Sequence, residues 1–94
     1  MLGQTVRVRK EHIREGRKGS TGYCPVALAI KEAFPNVRKV QADLDIIQID
    51  DVHYETPERV EQFMNRFDFT TNRESISGFK FTIVREAPVY FRPR

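Results

Sequence analysis

The sequence predicts an α+β fold: a small single domain, a mostly antiparallel sheet, and two helices packed on one face. Three observations carry this expectation. Thr5-Val6-Arg7-Val8-Arg9 near the start and Gly78 to Arg85 near the end alternate apolar and polar residues, the signature of half-buried strands. Two segments between them carry helical start signals and apolar spacing. An extended stretch separates those helices, giving the order β-α-β-β-α-β and favouring α+β.

Taken in order, Val6 and Val8 are expected to face the core, with Arg7 and Arg9 toward water or a ligand. Lys10 to Glu15 reads as a short helical turn, and Gly16 suits a left-handed residue closing it. A helix runs from Pro25, whose ring presets φ, to about Phe34, where Pro35 stops it. It is apolar nearly all round through Val26-Ala27-Leu28-Ala29-Ile30, which predicts burial. From Val37 to Thr56 the chain reads as extended. Val40, Ala42, Leu44 and Ile46 alternate before the phase moves to Ile47 and Ile49, a bulge or a break between strands. An Asp50-Asp51 turn then pairs Ile49 with Val52, Ile47 with Tyr54, and Gln48 with His53.

Thr56-Pro57-Glu58 supplies a hydroxyl cap, a first-turn proline and an acid at the positive end of a second helix. Val60, Phe63, Met64 and Phe67 follow as one apolar stripe. Asp68 to Ser77 is a polar connection carrying Phe69. In the last strand Phe79, Phe81 and Ile83 share one side, and Lys80, Thr82 and Val84 the other. Phe34, Phe63, Phe67, Phe79 and Phe81 are expected in the core. The tail, residues 86–94 with Pro88 and Pro93, reads as an edge segment or mobile, with Tyr90 and Phe91 as a binding arm or oligomer contact.

Composition narrows the class. The chain has 94 residues, 39% hydrophobic and 31% charged, enough for one small core and too apolar for disorder. Its longest charge-free stretch, Gly19 to Ile30, is 12 residues, short of the ~20 that cross a bilayer. No basic start with a following apolar run marks a signal peptide, so the expected location is cytoplasmic, away from membranes. One cysteine excludes an internal disulfide, and with two histidines it cannot complete a four-ligand zinc site. No metal and no cofactor are expected. Residues 1–39 carry nine Lys/Arg and three Glu, residues 40–70 two Lys/Arg and eight Asp/Glu, and residues 71–94 five Lys/Arg and two Glu. This asymmetry fits an anionic partner for the ends and a basic one for the middle, self-association of complementary faces, or a solvated mixed surface.

The loop from Gly16 to Tyr23 is the candidate binding site. It feeds a helix N-terminus, where amides and dipole attract phosphate or carboxylate oxygens. Its glycines let backbone approach a ligand, Arg17 and Lys18 add charge, Ser20 and Thr21 add hydroxyls, and Tyr23 offers a stacking face. Arg7 or Arg14 supports it. It is not a Walker loop, because Lys18 precedes Gly19 and no lysine follows Gly22. The alternative is a surface connection whose glycines only permit turns.

Cys24 with His12 or His53 invites a nucleophile and base, but a cysteine opening a buried helix is read as a small core hydrophobe. Asp43, Asp45, Asp50, Asp51 and Glu55 match no calcium-loop spacing and read as a solvated strand edge.

His12-Ile13-x-x-Gly16, then Cys24-Pro25-Val26-Ala27-Leu28-Ala29, an acidic extended stretch, and Pro57 with a striped helix ending in Phe67-Asp68 form a longer pattern. Over residues 5–83 it resembles a group of small uncharacterised proteins common in bacteriophage genomes. The resemblance implies phage origin and an accessory role; that group has no established activity or catalytic residues, so no residue role is carried over. The Arg17–Tyr23 loop is longer and more basic than that group's usual connection.

The readings converge on a non-enzymatic phage accessory protein binding a phosphate-bearing ligand. The most concrete form is sequestration of a nucleotide second messenger of host antiviral defence, by a homodimer or larger assembly. One alternative is a protein–protein inhibitor of a host defence nuclease or CRISPR complex, with Asp43, Asp45, Asp50 and Asp51 mimicking nucleic acid. Another is direct nucleic-acid binding through the basic ends. No residue pair supplies a nucleophile and base at recognisable spacing, so an enzyme is not expected.

Overall fold

Alternating apolar residues build two antiparallel sheets, with one helix joining them. The computed structural model describes residues 3–84. The order is β1 (Gly3–Val8), α1 (Lys10–Glu15), α2 (Pro25–Ala33), β2 (Val40–Ala42), β3 (Ile46–Ile49), β4 (Val52–Glu55), α3 (Glu58–Phe69), a 3-10 turn (Arg73–Ser75) and β5 (Phe79–Val84). The α+β class stands. The single sheet and the β-α-β-β-α-β order do not: β1 pairs with β5, while β2, β3 and β4 form a separate sheet. The reason lies at β2. Its Ala42 N–H, on the edge away from β3, donates to Thr21 O at 2.8 Å, so the loop before α2 covers the edge that a further strand would need. The expected tail, with Tyr90 and Phe91, lies outside the described residues.

In the smaller sheet, Val6 faces Phe81 and Val8 faces Phe79 across the ladder, with Arg7 opposite Lys80 on the outer side. Val6, Val8, Phe81 and Ile83 are buried, and Arg7, Lys80 and Thr82 are exposed, as the alternation predicts. Gly78 makes that closure possible, since a Cβ there would collide with Val8 O. The rings of Phe63 and Phe79, 4.7 Å apart, seat α3 against β5. Phe34 and Phe79 are half-buried and pack against the core, and Phe69 is exposed.

The second sheet is a meander with Ile47 opposite Tyr54, Ile49 opposite Val52 and Gln48 opposite His53. The phase change after Leu44 is a break: Asp43 N–H donates to Ile46 O at 2.9 Å, and Leu44 sits exposed at the hairpin tip. α2 packs against both β1 and β2, which explains why it is apolar nearly all round. No helix among the described residues is long and apolar enough to cross a membrane.

Two local expectations are corrected. Gly16 is extended (φ −67°, ψ 153°), and it must be glycine because a Cβ would lie 2.5 Å from the Pro25 ring. Thr56 does not cap α3. Its hydroxyl donates to Asp43 O at 2.8 Å, while Pro57 occupies the cap position and its carbonyl receives the Val60 and Glu61 amides.

Asp50 pins the connection after α2. Its Oδ1 accepts the Arg38 and Lys39 amides at 2.8 and 2.9 Å, and its own N–H donates to Lys39 O. It also holds φ at +53°, which Asp and Asn tolerate better than most residues. Asp50→Ala is expected to cost about 1–3 kcal/mol, while Asp50→Asn, which keeps an acceptor, loses less. Thermal unfolding of both variants checks this ordering.

Candidate functional site

The site begins where α1 ends. A six-residue helix leaves most of its carbonyls without intrahelical partners. Arg73 supplies them: its Nη1 lies 2.8 Å from Arg14 O and Gly16 O and 3.3 Å from Ile13 O. From Gly16 the chain passes over Pro25 and forms a loop closed by Arg17 N–H donating to Tyr23 O at 2.8 Å. Inside it, Gly19 takes φ +69° and Ser20 Oγ accepts the Tyr23 amide at 3.1 Å. Thr21 O holds the loop to β2.

This framework presents the Tyr23 ring to solvent, 55% exposed, with two cations beside it. The Arg17 guanidinium carbon is 5.5 Å from the ring centroid and Lys31 Nζ 4.4 Å, both within cation–π range. Lys31 Nζ also donates to Gly22 O at 2.8 Å. Ion pairs among the described residues join Arg9 to Glu32 and Arg14 to Glu74, and His12 hydrogen-bonds to Glu32; neither Arg17 nor Lys31 takes part.

The loop therefore brings together Arg17, Ser20, Thr21 and Tyr23. The other expected cations point elsewhere. Lys18 Nζ donates to Thr70 O at the end of α3. Arg14 forms a two-pronged bond with Glu74 at 3.0 and 3.4 Å, which raises the guanidinium pKa and holds the carboxyl below its ordinary range. Arg7 stands on the outer face of β1, and the clefts it lines with Glu32 and with Lys80 contain no loop residue.

Lys31 is the residue the sequence reading missed. It follows Cys24 by seven positions, so both lie on one face of α2, and helical side chains tilt toward the N-terminus. That spacing was the available signal. Arg73 carried no local signal at all, because its carbonyl partners lie 57 to 60 residues away.

Charge at the cluster comes from side chains rather than helix amides. Pro25 has no N–H, and Ala27 N–H faces Cys24 Sγ at 3.5 Å. The Cys24 thiol is buried, and burial pushes its pKa up, outweighing the amides that favour the thiolate. His12 offers it no base. Arg9 N–H donates to Nδ1 at 2.9 Å, which places the ring proton on Nε2, bonded to Glu32 Oε1 at 2.7 Å. The packing reading of Cys24 agrees with this geometry.

Beside the loop, an apolar cleft of about 170 Å³ opens among Cys24, Leu44, Phe63 and Phe67, with Asp43 and Asp68 in its lining. It contains carboxylates and no cation, so it does not suit a phosphate. Of the acidic segment, Asp43 Oδ1 accepts the Leu44 amide and Asp50 is engaged by backbone, while Asp45 and Asp51 are exposed. Among the described residues no cluster of His, Cys, Asp and Glu is arranged to hold a metal ion.

No family model, curated protein or solved structure matches the chain.

Gly16→Ala is expected to destabilise the fold by about 1–3 kcal/mol through overpacking against Pro25, read as a lower Tm. For Cys24, the folded thiol stays protonated where the unfolded one ionises. Its stabilisation is therefore full below about pH 8.5 and declines as pH rises further. Native protein should react with a thiol reagent at pH 8 several-fold more slowly than denatured protein; equal rates would contradict the burial argument.

Proposed function

We propose that this chain is a non-enzymatic binding protein for a phosphate-bearing ligand, with Arg17, Tyr23 and Lys31 as its receptor. One observation carries the reading: an exposed aromatic ring flanked by two cations that no carboxylate neutralises among the described residues. A nucleotide satisfies all three groups together. Its base stacks on the tyrosine, and its phosphates take the planar fork of arginine and the point charge of lysine. Ser20 and Thr21 precede the ring on the same loop, and Ser20 Oγ accepts the Tyr23 amide. Lys18, Arg14 and Arg7, engaged or placed elsewhere, support the site through the surrounding field rather than by contact.

His12 is engaged through both ring nitrogens and Cys24 is buried, which favours sequestration over turnover. As a phage accessory protein in the cytoplasm of a host cell, the chain would withhold a nucleotide second messenger of antiviral defence. A second copy would help enclose a ligand larger than the exposed ring. The acidic-segment reading has less support, because Asp50 and Asp43 already serve the backbone.

Thermal shift and calorimetry with nucleoside triphosphates and cyclic di- and trinucleotides test the proposal. A ligand at 100 times its Kd stabilises the native state by about 2.7 kcal/mol. Tyr23→Ala is expected to weaken binding by about 1–3 kcal/mol, and Arg17→Ala with Lys31→Ala to abolish it without lowering the Tm of free protein comparably. Absence of any stabilisation across the panel, or binding indifferent to these substitutions, removes the proposal.

A further inference from the structure

The outer face of the β1–β5 sheet carries a charge pattern that the fold does not explain. The register sets Arg7 directly opposite Lys80, and both side chains are exposed. Like charges facing each other across a ladder weaken it. Arg59 joins them from α3, its Nη1 3.4 Å from Lys80 O. None of the three takes part in an ion pair among the described residues. Carboxylates on the adjoining helices are already committed: Glu32 gives one oxygen to Arg9 and the other to His12, and Glu58 accepts from Gln62 one turn along α3. Arg7 and Lys80 line one cleft of about 400 Å³ together with Arg9 and Lys10, and no carboxylate lines it. Arg9 is neutralised by Glu32, whereas Lys10 bonds to two carbonyls, which leaves its charge in place.

We infer that Arg7, Lys80 and Arg59 form a second anion site, separate from the Tyr23 loop, and that it receives the phosphate backbone of a nucleic acid without reading its sequence. Three unneutralised cations spread over two strands and a helix suit successive phosphates of a polymer, and two of them are arginines, whose fork fits phosphate oxygens. Thr5 and Thr82, exposed and facing each other in the same ladder, add hydroxyl donors of the kind that bond to phosphates. A protein partner would need an apolar anchor at the centre of its contact. This face has none: the large hydrophobic side chains exposed among the described residues are Tyr23, Leu44 and Phe69, all on other elements. No aromatic ring or side-chain amide stands beside Arg7 and Lys80 in the cleft to read a base edge, apart from Phe79, whose ring packs on Phe63.

The experiment is fluorescence anisotropy of the full chain with DNA duplexes of two unrelated sequences, titrated between about 50 and 200 mM salt. Both duplexes are expected to bind equally, with log K falling against log salt at a slope of about −2.7, or 0.9 for each of three phosphates. Arg7→Thr and Lys80→Thr are each expected to reduce that slope by about 1. Both should leave the Tm of free protein unchanged or raise it, because each removes one of two facing like charges and threonine suits a strand. Arg17→Ala with Lys31→Ala is expected to leave the slope as it is, which separates this face from the Tyr23 loop. No binding at the lowest salt, or a slope indifferent to Arg7→Thr and Lys80→Thr, overturns the inference. Displacement of the DNA by polyglutamate at equal charge concentration also overturns it, since the face then takes acidic protein as readily.

Discussion

Arg73 fixes the end of α1, and the position of the binding loop depends on that end. Six residues are too few for a helix to persist through its own hydrogen bonds. The Arg73 guanidinium gathers the carbonyls of Ile13, Arg14 and Gly16 while lying 5.1 Å from the Phe67 ring centroid. Lys10 works in the opposite direction, its ammonium reaching Glu74 O and Ile76 O at 2.7 Å. Helix and 3-10 turn thus hold each other by cations on carbonyls. Gly16 leaves this junction tight against Pro25, so the loop starts from a defined point and the N-terminus of α2 is its other anchor.

That arrangement changes the meaning of the basic N-terminal segment. Much of its positive charge is structural: Arg9 meets Glu32, Lys10 and Lys18 meet carbonyls, and Arg14 meets Glu74. What remains near the loop is concentrated on Arg17 and Lys31 around one tyrosine. A diffuse basic end would favour any polyanion through its field. Two cations on an exposed ring favour a ligand that brings both a planar group and a phosphate. The acidic middle divides similarly, with Asp50 serving backbone amides and Asp45 and Asp51 facing water.

The loop also links two regions that are distant in the sequence. Thr21 O accepts the Ala42 N–H, so the loop that carries Tyr23 adds one strand-like bond to the β2 edge. Covering that edge serves the fold too, since an open edge invites pairing with other chains. The same bond therefore covers the β2 edge and anchors the loop that presents Tyr23.

The sequence by itself determined whatever depends on neighbours within one element. The register at Asp50-Asp51 was legible because one pairing alone puts Ile47, Ile49, Val52 and Tyr54 on a common face. The stripe of Val60, Phe63, Met64 and Phe67, all buried, was legible from helical spacing. So were Arg17, Ser20, Thr21 and Tyr23 as a group, because they share one short loop. The tertiary structure decided what depends on a partner far along the chain: two sheets instead of one, Thr56 on Asp43 O instead of a cap, Lys18 on Thr70 O, and Lys31 at the tyrosine. Periodicity records which side of an element is buried, but not which distant carbonyl a long cation will find. Only packing settles that, since a buried or half-buried polar group takes whichever partner the fold brings within hydrogen-bond reach.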